Sequence, residues 1–64
     1  MAKVNGESMN VDGMTVRELI TKLNFDETKI VVEKNLEIVP KSSYDTVFVS
    51  EADELEVVSF VGGG

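Results

Sequence analysis

One helical stripe limits what this chain can become. Val16, Leu19, Ile20 and Leu23 recur at i, i+3, i+4 and i+7, which places them on one face of an amphipathic helix. The start of that helix is marked twice. Thr15 stands at the N-cap position with Glu18 three residues on, the pattern of a capping box, and Met14 and Leu19 occupy the two positions of a hydrophobic staple. Lys22 falls in the last turn, where it complements the helix dipole, and Asn24 suits the C-terminal cap. The spacing predicts a helix over about 16–23, and no other segment repeats the pattern.

The remaining apolar residues alternate at the strand period. Ala2 and Val4 alternate with Lys3 and Asn5, and Met9 and Val11 with Ser8 and Asn10, on either side of Asn5-Gly6. That dipeptide accepts the positive φ values of a tight turn, so a β-hairpin is expected here. Lys29-Ile30-Val31-Val32-Glu33 reads as a strand rich in β-branched residues. Ile38 and Val39 make a short strand possible, which Pro40 confines to an edge or an end because it has no backbone donor. Lys41-Ser42-Ser43 reads as loop, Thr46–Val49 as another short strand, and Ser50–Asp53 as a polar turn. Leu55–Phe60 reads as the last strand, with Glu56 and Val58 on a face that meets water near its start.

A single helix covers one face of one sheet, so this order of elements predicts a two-layer α+β domain. Strands at the two extremes of the sequence can pair only in the interior of such a sheet. The expected architecture is a β-grasp, ubiquitin-like: a mixed sheet of four to five strands with one main helix over residues 1–61, followed by a flexible Gly tail, 62–64.

At 64 residues there is room for one small domain, which buries only about 60% of the surface its unfolded chain exposes. The chain has no Cys and no His, so thiolate chemistry, imidazole acid–base work and the usual zinc ligand sets are excluded. No long apolar run follows Lys3, so neither a signal peptide nor a membrane span is expected, and the cytoplasm is the expected location. The net charge is −6 and is unevenly placed: the segment 45–64 holds Asp45, Glu51, Asp53, Glu54 and Glu56 and none of the six bases. Such a surface repels nucleic acid and anionic membranes, and it speeds association with a basic protein surface. It also serves simple solubility.

No catalytic constellation is visible. The acids Glu51, Asp53, Glu54 and Glu56 do not match the calcium-loop spacing, and they read as solvated turn and strand-edge residues rather than a metal site. Tyr44, alone, reads as packing; the hydroxyl residues have no activating base; and no glycine-rich phosphate loop occurs. The informative feature is Val61-Gly62-Gly63-Gly64, directly after the last strand. Three Gly in a row at a given place arise by chance about 3 times in 10,000 at average usage. A tail without side chains passes through a slot that admits nothing wider, and so delivers a carboxylate deep into another protein's nucleotide site. The alternatives are a frayed end or a cloning remnant. If the tail enters another protein, that partner meets Phe60 and Val61 before Gly62 and Gly63, with an apolar contact at Phe60 and an acidic rim that includes Asp53 and Glu54.

The segments Glu33-Lys34-Asn35-Leu36-Glu37-Ile38-Val39-Pro40 and Asp53–Gly64, the helix start Thr15-Val16-Arg17-Glu18-Leu19-Ile20, and Tyr44 resemble the ThiS family of sulfur carrier proteins across essentially the whole chain. The Gly-Gly end alone is shared with MoaD-like carriers and ubiquitin; the Glu-Lys-Asn-x-Glu-Ile-Val-Pro stretch is more specific. Ala52 departs from the Gly that many relatives carry before the turn Asp.

The resemblance implies a β-grasp carrier, not itself an enzyme, whose Gly64 is adenylated by a ThiF-type enzyme using ATP and magnesium and then converted to a thiocarboxylate. A ThiG-type thiazole synthase would receive the sulfur for the thiazole of thiamine. The carrier would bind no cofactor of its own and would be a monomer when free. Two other readings share these features: a MoaD-like carrier serving molybdopterin or another pathway, and a non-covalent β-grasp interaction module or ubiquitin-like modifier.

Overall fold

A computed structural model describes residues 1–60. Strands β1 (Ala2–Val4) and β2 (Glu7–Met9) form the first hairpin, followed by helix α1 (Val16–Lys22), β3 (Ile30–Lys34), β4 (Glu37–Val39) and β5 (Glu54–Ser59). The five strands form one mixed sheet in the order β2-β1-β5-β3-β4. β5 is central: it runs parallel to β1, with Lys3 opposite Glu54 and Val4 opposite Leu55. It runs antiparallel to β3 from Ile30–Ser59 to Lys34–Leu55. The expected β-grasp arrangement, with the first and last strands joined in the interior, is what forms.

The helix starts as its sequence requires. The Thr15 side chain accepts from the Glu18 N–H at 3.1 Å, and the Glu18 carboxylate accepts from the Thr15 N–H at 2.9 Å, closing the capping box. Leu23 is the C-cap, and Asn24, at φ 61°, makes the left-handed exit. Val16, Leu19 and Ile20 pack on one face of the sheet against Ala2, Val4, Ile30, Val32, Val39, Leu55 and Val57, with Tyr44 and Val49 closing the core. Every one of these is almost completely buried.

Two expectations are corrected. Thr46–Val49 does not form a strand. Its backbone instead binds the segment leading into α1: Val49 donates to Met14 at 2.8 Å, Gly13 to Val49 at 2.8 Å and Val16 to Val47 at 2.9 Å, leaving a single bridge, Thr15–Phe48. Lys29 is not in β3 but ends a 3₁₀ turn, Glu27–Lys29, whose N-cap Asp26 accepts from the Thr28 N–H. β4 is an edge strand that stops at Pro40, as a residue without a donor requires.

Both hairpins turn through two residues of positive φ, the type I′ geometry that matches strand twist. The first uses Asn5 (φ 52°) and Gly6 (φ 83°); the second uses Asn35 (φ 52°) and Leu36 (φ 70°). At the second position glycine has no Cβ to clash, whereas leucine meets a cost of about 1–2 kcal/mol. The two asparagines also tie their turns to β5. Asn5 Oδ1 accepts from the Val57 N–H at 2.8 Å where β1 ends, and Asn35 Oδ1 accepts from the Glu54 N–H at 3.0 Å.

Candidate functional site

The helix covers one face of the sheet and leaves the other open. Alternation along β5 turns Leu55 and Val57 into the core and Glu54, Glu56 and Val58 outward. The β3 register sets Glu33 beside Glu56 and Val31 beside Val58, and on the β1 side Lys3 lies beside Glu54. Ile38 of β4 pairs with Glu33 and continues the same face. The resulting shallow groove, of about 930 Å³, is lined by Lys3, Asn5, Glu33, Leu36, Glu54, Glu56 and Val58 among others. Its floor joins apolar surface to three carboxylates, with Lys3 as the lysine on its lining.

Phe60 follows β5 and remains tied to the sheet, its N–H donating to the Lys29 carbonyl at 2.9 Å. Its side chain is exposed. Glu54 opens β5 and Phe60 directly follows its last residue, so at strand rise about 20 Å separates them. The acidic residue and the aromatic therefore belong to opposite ends of one outward face. Val61, Gly62, Gly63 and Gly64, and the expectation of a flexible tail, lie outside the described residues.

Asp53 does something else. Its side chain is only 12% exposed. Oδ1 accepts from Asn35 Nδ2 at 3.0 Å, Oδ2 accepts from the Ser50 N–H at 2.8 Å, and Lys34 Nζ stands 3.4 Å away. Burial pushes the carboxyl upward, but the bonds from Asn35, Ser50 and Lys34 outweigh it and hold the group below the ordinary carboxylate range. The sequence places no base near Asp53, yet the fold brings Lys34 to it. The charge facing outward is carried by Glu33, Glu54 and Glu56, while Glu51 is exposed in the turn.

Glu33, Leu36, Ile38 and Val58 were not singled out by sequence reasoning as contact residues. The period-two pattern of β5 could have found Val58, and a leucine after Asn at a hairpin tip could have marked Leu36. Among the described residues no group of three or more acids is placed to hold a metal ion, and no helix is long and apolar enough to cross a membrane. Tyr44 is buried, which pushes its phenol upward, in keeping with a packing role.

Comparison with known proteins bears on this geometry. The ThiS family model matches residues 2–64. The sulfur carrier protein ThiS of Bacillus subtilis is 33% identical over 66 residues, covering 100% of both chains. A segment of the thiazole synthase of Paramagnetospirillum magneticum is 53% identical over 62 residues, which is 95% of this chain and 19% of that protein. The chain thus spans about a fifth of the length of the thiazole synthases it matches. The crystal structure of the thiamine biosynthesis protein ThiS from Geobacter metallireducens superposes with a TM-score of 0.81 at 30% identity, covering 98% of this chain and 97% of that one. With the family pattern matched from residue 2 to residue 64 and a solved member sharing the five-stranded, one-helix architecture, this chain belongs to the ThiS family.

Proposed function

We propose that this chain is a sulfur carrier of thiamine biosynthesis and that Gly64 carries the sulfur. The observation that bears most of the weight is the end-to-end match with the Bacillus subtilis protein named sulfur carrier protein ThiS. In the proposed cycle the Gly64 carboxylate attacks the α-phosphorus of magnesium-bound ATP on a ThiF-type adenylating enzyme. This forms the glycyl adenylate and releases pyrophosphate. A sulfide-level donor then adds to the acyl carbon and AMP leaves, so that one carboxylate oxygen has been exchanged for sulfur. The thiocarboxylate is a soft nucleophile on a tether, and a ThiG-type thiazole synthase consumes it. The carrier supplies docking and reach, while bond-making groups belong to its partners.

The structure supports the docking half of this reading. An outward face with Phe60 at one end and three glutamates along β3 and β5 suits a partner surface with an apolar patch and a basic rim. The test is chemical. Incubated with a ThiF-type enzyme, Mg-ATP and sulfide, the chain is expected to gain the mass of one oxygen-for-sulfur exchange. Deletion of Gly64, or one Ala added after it, is expected to abolish the gain with the circular dichroism unchanged. Thiolation of the extended chain would exclude the carboxylate mechanism.

A further inference from the structure

Leu36 combines two features that a residue without a task at the surface would not keep. It holds φ 70°, and the residue is 90% exposed. The same chain makes the same turn with glycine in the first hairpin, where Gly6 holds φ 83° and nothing lies within 4 Å of where a Cβ would stand. Strain held without any packing return is the kind of outlier from which function is properly inferred.

The tip is also pinned. The Asn35 N–H donates to the Glu54 carbonyl at 2.8 Å, its side-chain amide donates to Asp53 at 3.0 Å, and its Oδ1 accepts from the Glu54 N–H at 3.0 Å. The leucine is therefore presented from a rigid base, so little ordering entropy remains to be lost when it is gripped. Glu33, Glu54 and Glu56 line the same groove as Leu36, and Ile38, 67% exposed, follows on the edge strand.

We propose that Leu36 is an anchor by which this chain docks on a thiazole synthase, entering an apolar socket bordered by Lys or Arg. This rests on the sulfur-carrier reading above. Charge complementarity selects the occupant's chemistry. A second copy would set three glutamates against the same three at a net charge of −6 each, and a polyanion would be repelled as strongly. The synthase is favoured because a 53% identical segment is built into a thiazole synthase of much greater length, against 33% identity to the separate Bacillus carrier. A carrier joined to the enzyme it serves has a docking face shaped to that enzyme.

The test uses the full chain and the ThiG-type thiazole synthase of the same organism. Leu36→Gly removes both strain and anchor, and Leu36→Asn keeps a residue that tolerates positive φ while removing the apolar surface. Both variants are expected to melt at or above the wild-type temperature and to bind the synthase about tenfold or more weakly by calorimetry. A stability gain coupled to a loss of affinity is the signature of a residue kept for contact. Unchanged affinity in both variants overturns the assignment, as does a wild-type dimer in sedimentation that both variants abolish. If the wild-type chain forms no thiocarboxylate in the mass assay, the carrier reading and this proposal fall together. If it does form one and the Leu36 variants bind the synthase like wild type, only the proposal falls.

Discussion

Asp53 shows how a fold can reassign a residue's charge. Its carboxylate is held by Asn35, Ser50 and Lys34, so its pKa in the folded chain lies below the ordinary value of 3.8. The native state then binds fewer protons than the unfolded chain. The stability contributed by this group is complete above the ordinary pKa and is lost as pH falls through the folded value. Asp53→Asn is expected to cost about 1–2 kcal/mol at neutral pH, with the deficit shrinking well below pH 4. Urea denaturation of both proteins at the two pH values checks this; an equal deficit at both would mean that the negative charge does not hold the turn. The sequence shows the acids at 51, 53, 54 and 56 as one cluster. It does not show that Asp53 turns inward to Lys34, nineteen residues earlier, because that pairing exists only once β3 and β5 are side by side.

Elements were legible where their signals were local. Helix α1 announces itself through Thr15, Glu18 and a four-residue stripe, and Asn5-Gly6 announces its hairpin; both form within a residue or so of expectation. Thr46–Val49 carries the β-branched composition of a strand, yet its backbone partners lie in residues 13–16, the irregular lead into α1 and the helix's first residue, so composition could not say that no ladder would form. The outward face proposed for docking was half legible: Glu54 opens the last strand and Phe60 directly follows it, whereas Glu33 joins them only through the antiparallel register of β3 with β5. Because α1 has only seven residues, its own backbone bonds leave it marginal and its cap matters. Thr15→Ala is expected to destabilise the domain by about 1 kcal/mol and to lower its melting temperature by about 4–8 °C. Thermal denaturation followed at a helix-sensitive wavelength reads this directly, and an unchanged melting point would show that the box in the structure is energetically idle.

At the scale of the whole molecule, charge and topology dominate. Glu56 sits directly opposite Glu33 and near Glu54, a like-charge arrangement that costs the sheet a few tenths of a kcal/mol and faces any approaching partner. A Glu54→Gln/Glu56→Gln variant is therefore expected to be slightly more stable than wild type. Its association with the ThiF-type enzyme proposed above as partner is expected to be slower and less sensitive to salt, with dissociation little changed. Stopped-flow binding across a salt series checks this; an on-rate independent of ionic strength in the wild type would reduce the acidic face to a solubility feature. The parallel pairing of β1 with β5 has a consequence in time as well as in space. Of the five strands the central one comes latest in this sequence, and without it β1 and β3 have no common neighbour. Residues 1–53 hold the two outer strand pairs and the helix of the finished fold but no ladder that joins the two pairs. The six residues Glu54–Ser59 close the sheet through a pairing with β1 of long sequence separation, the kind of contact whose loop-closure entropy slows folding.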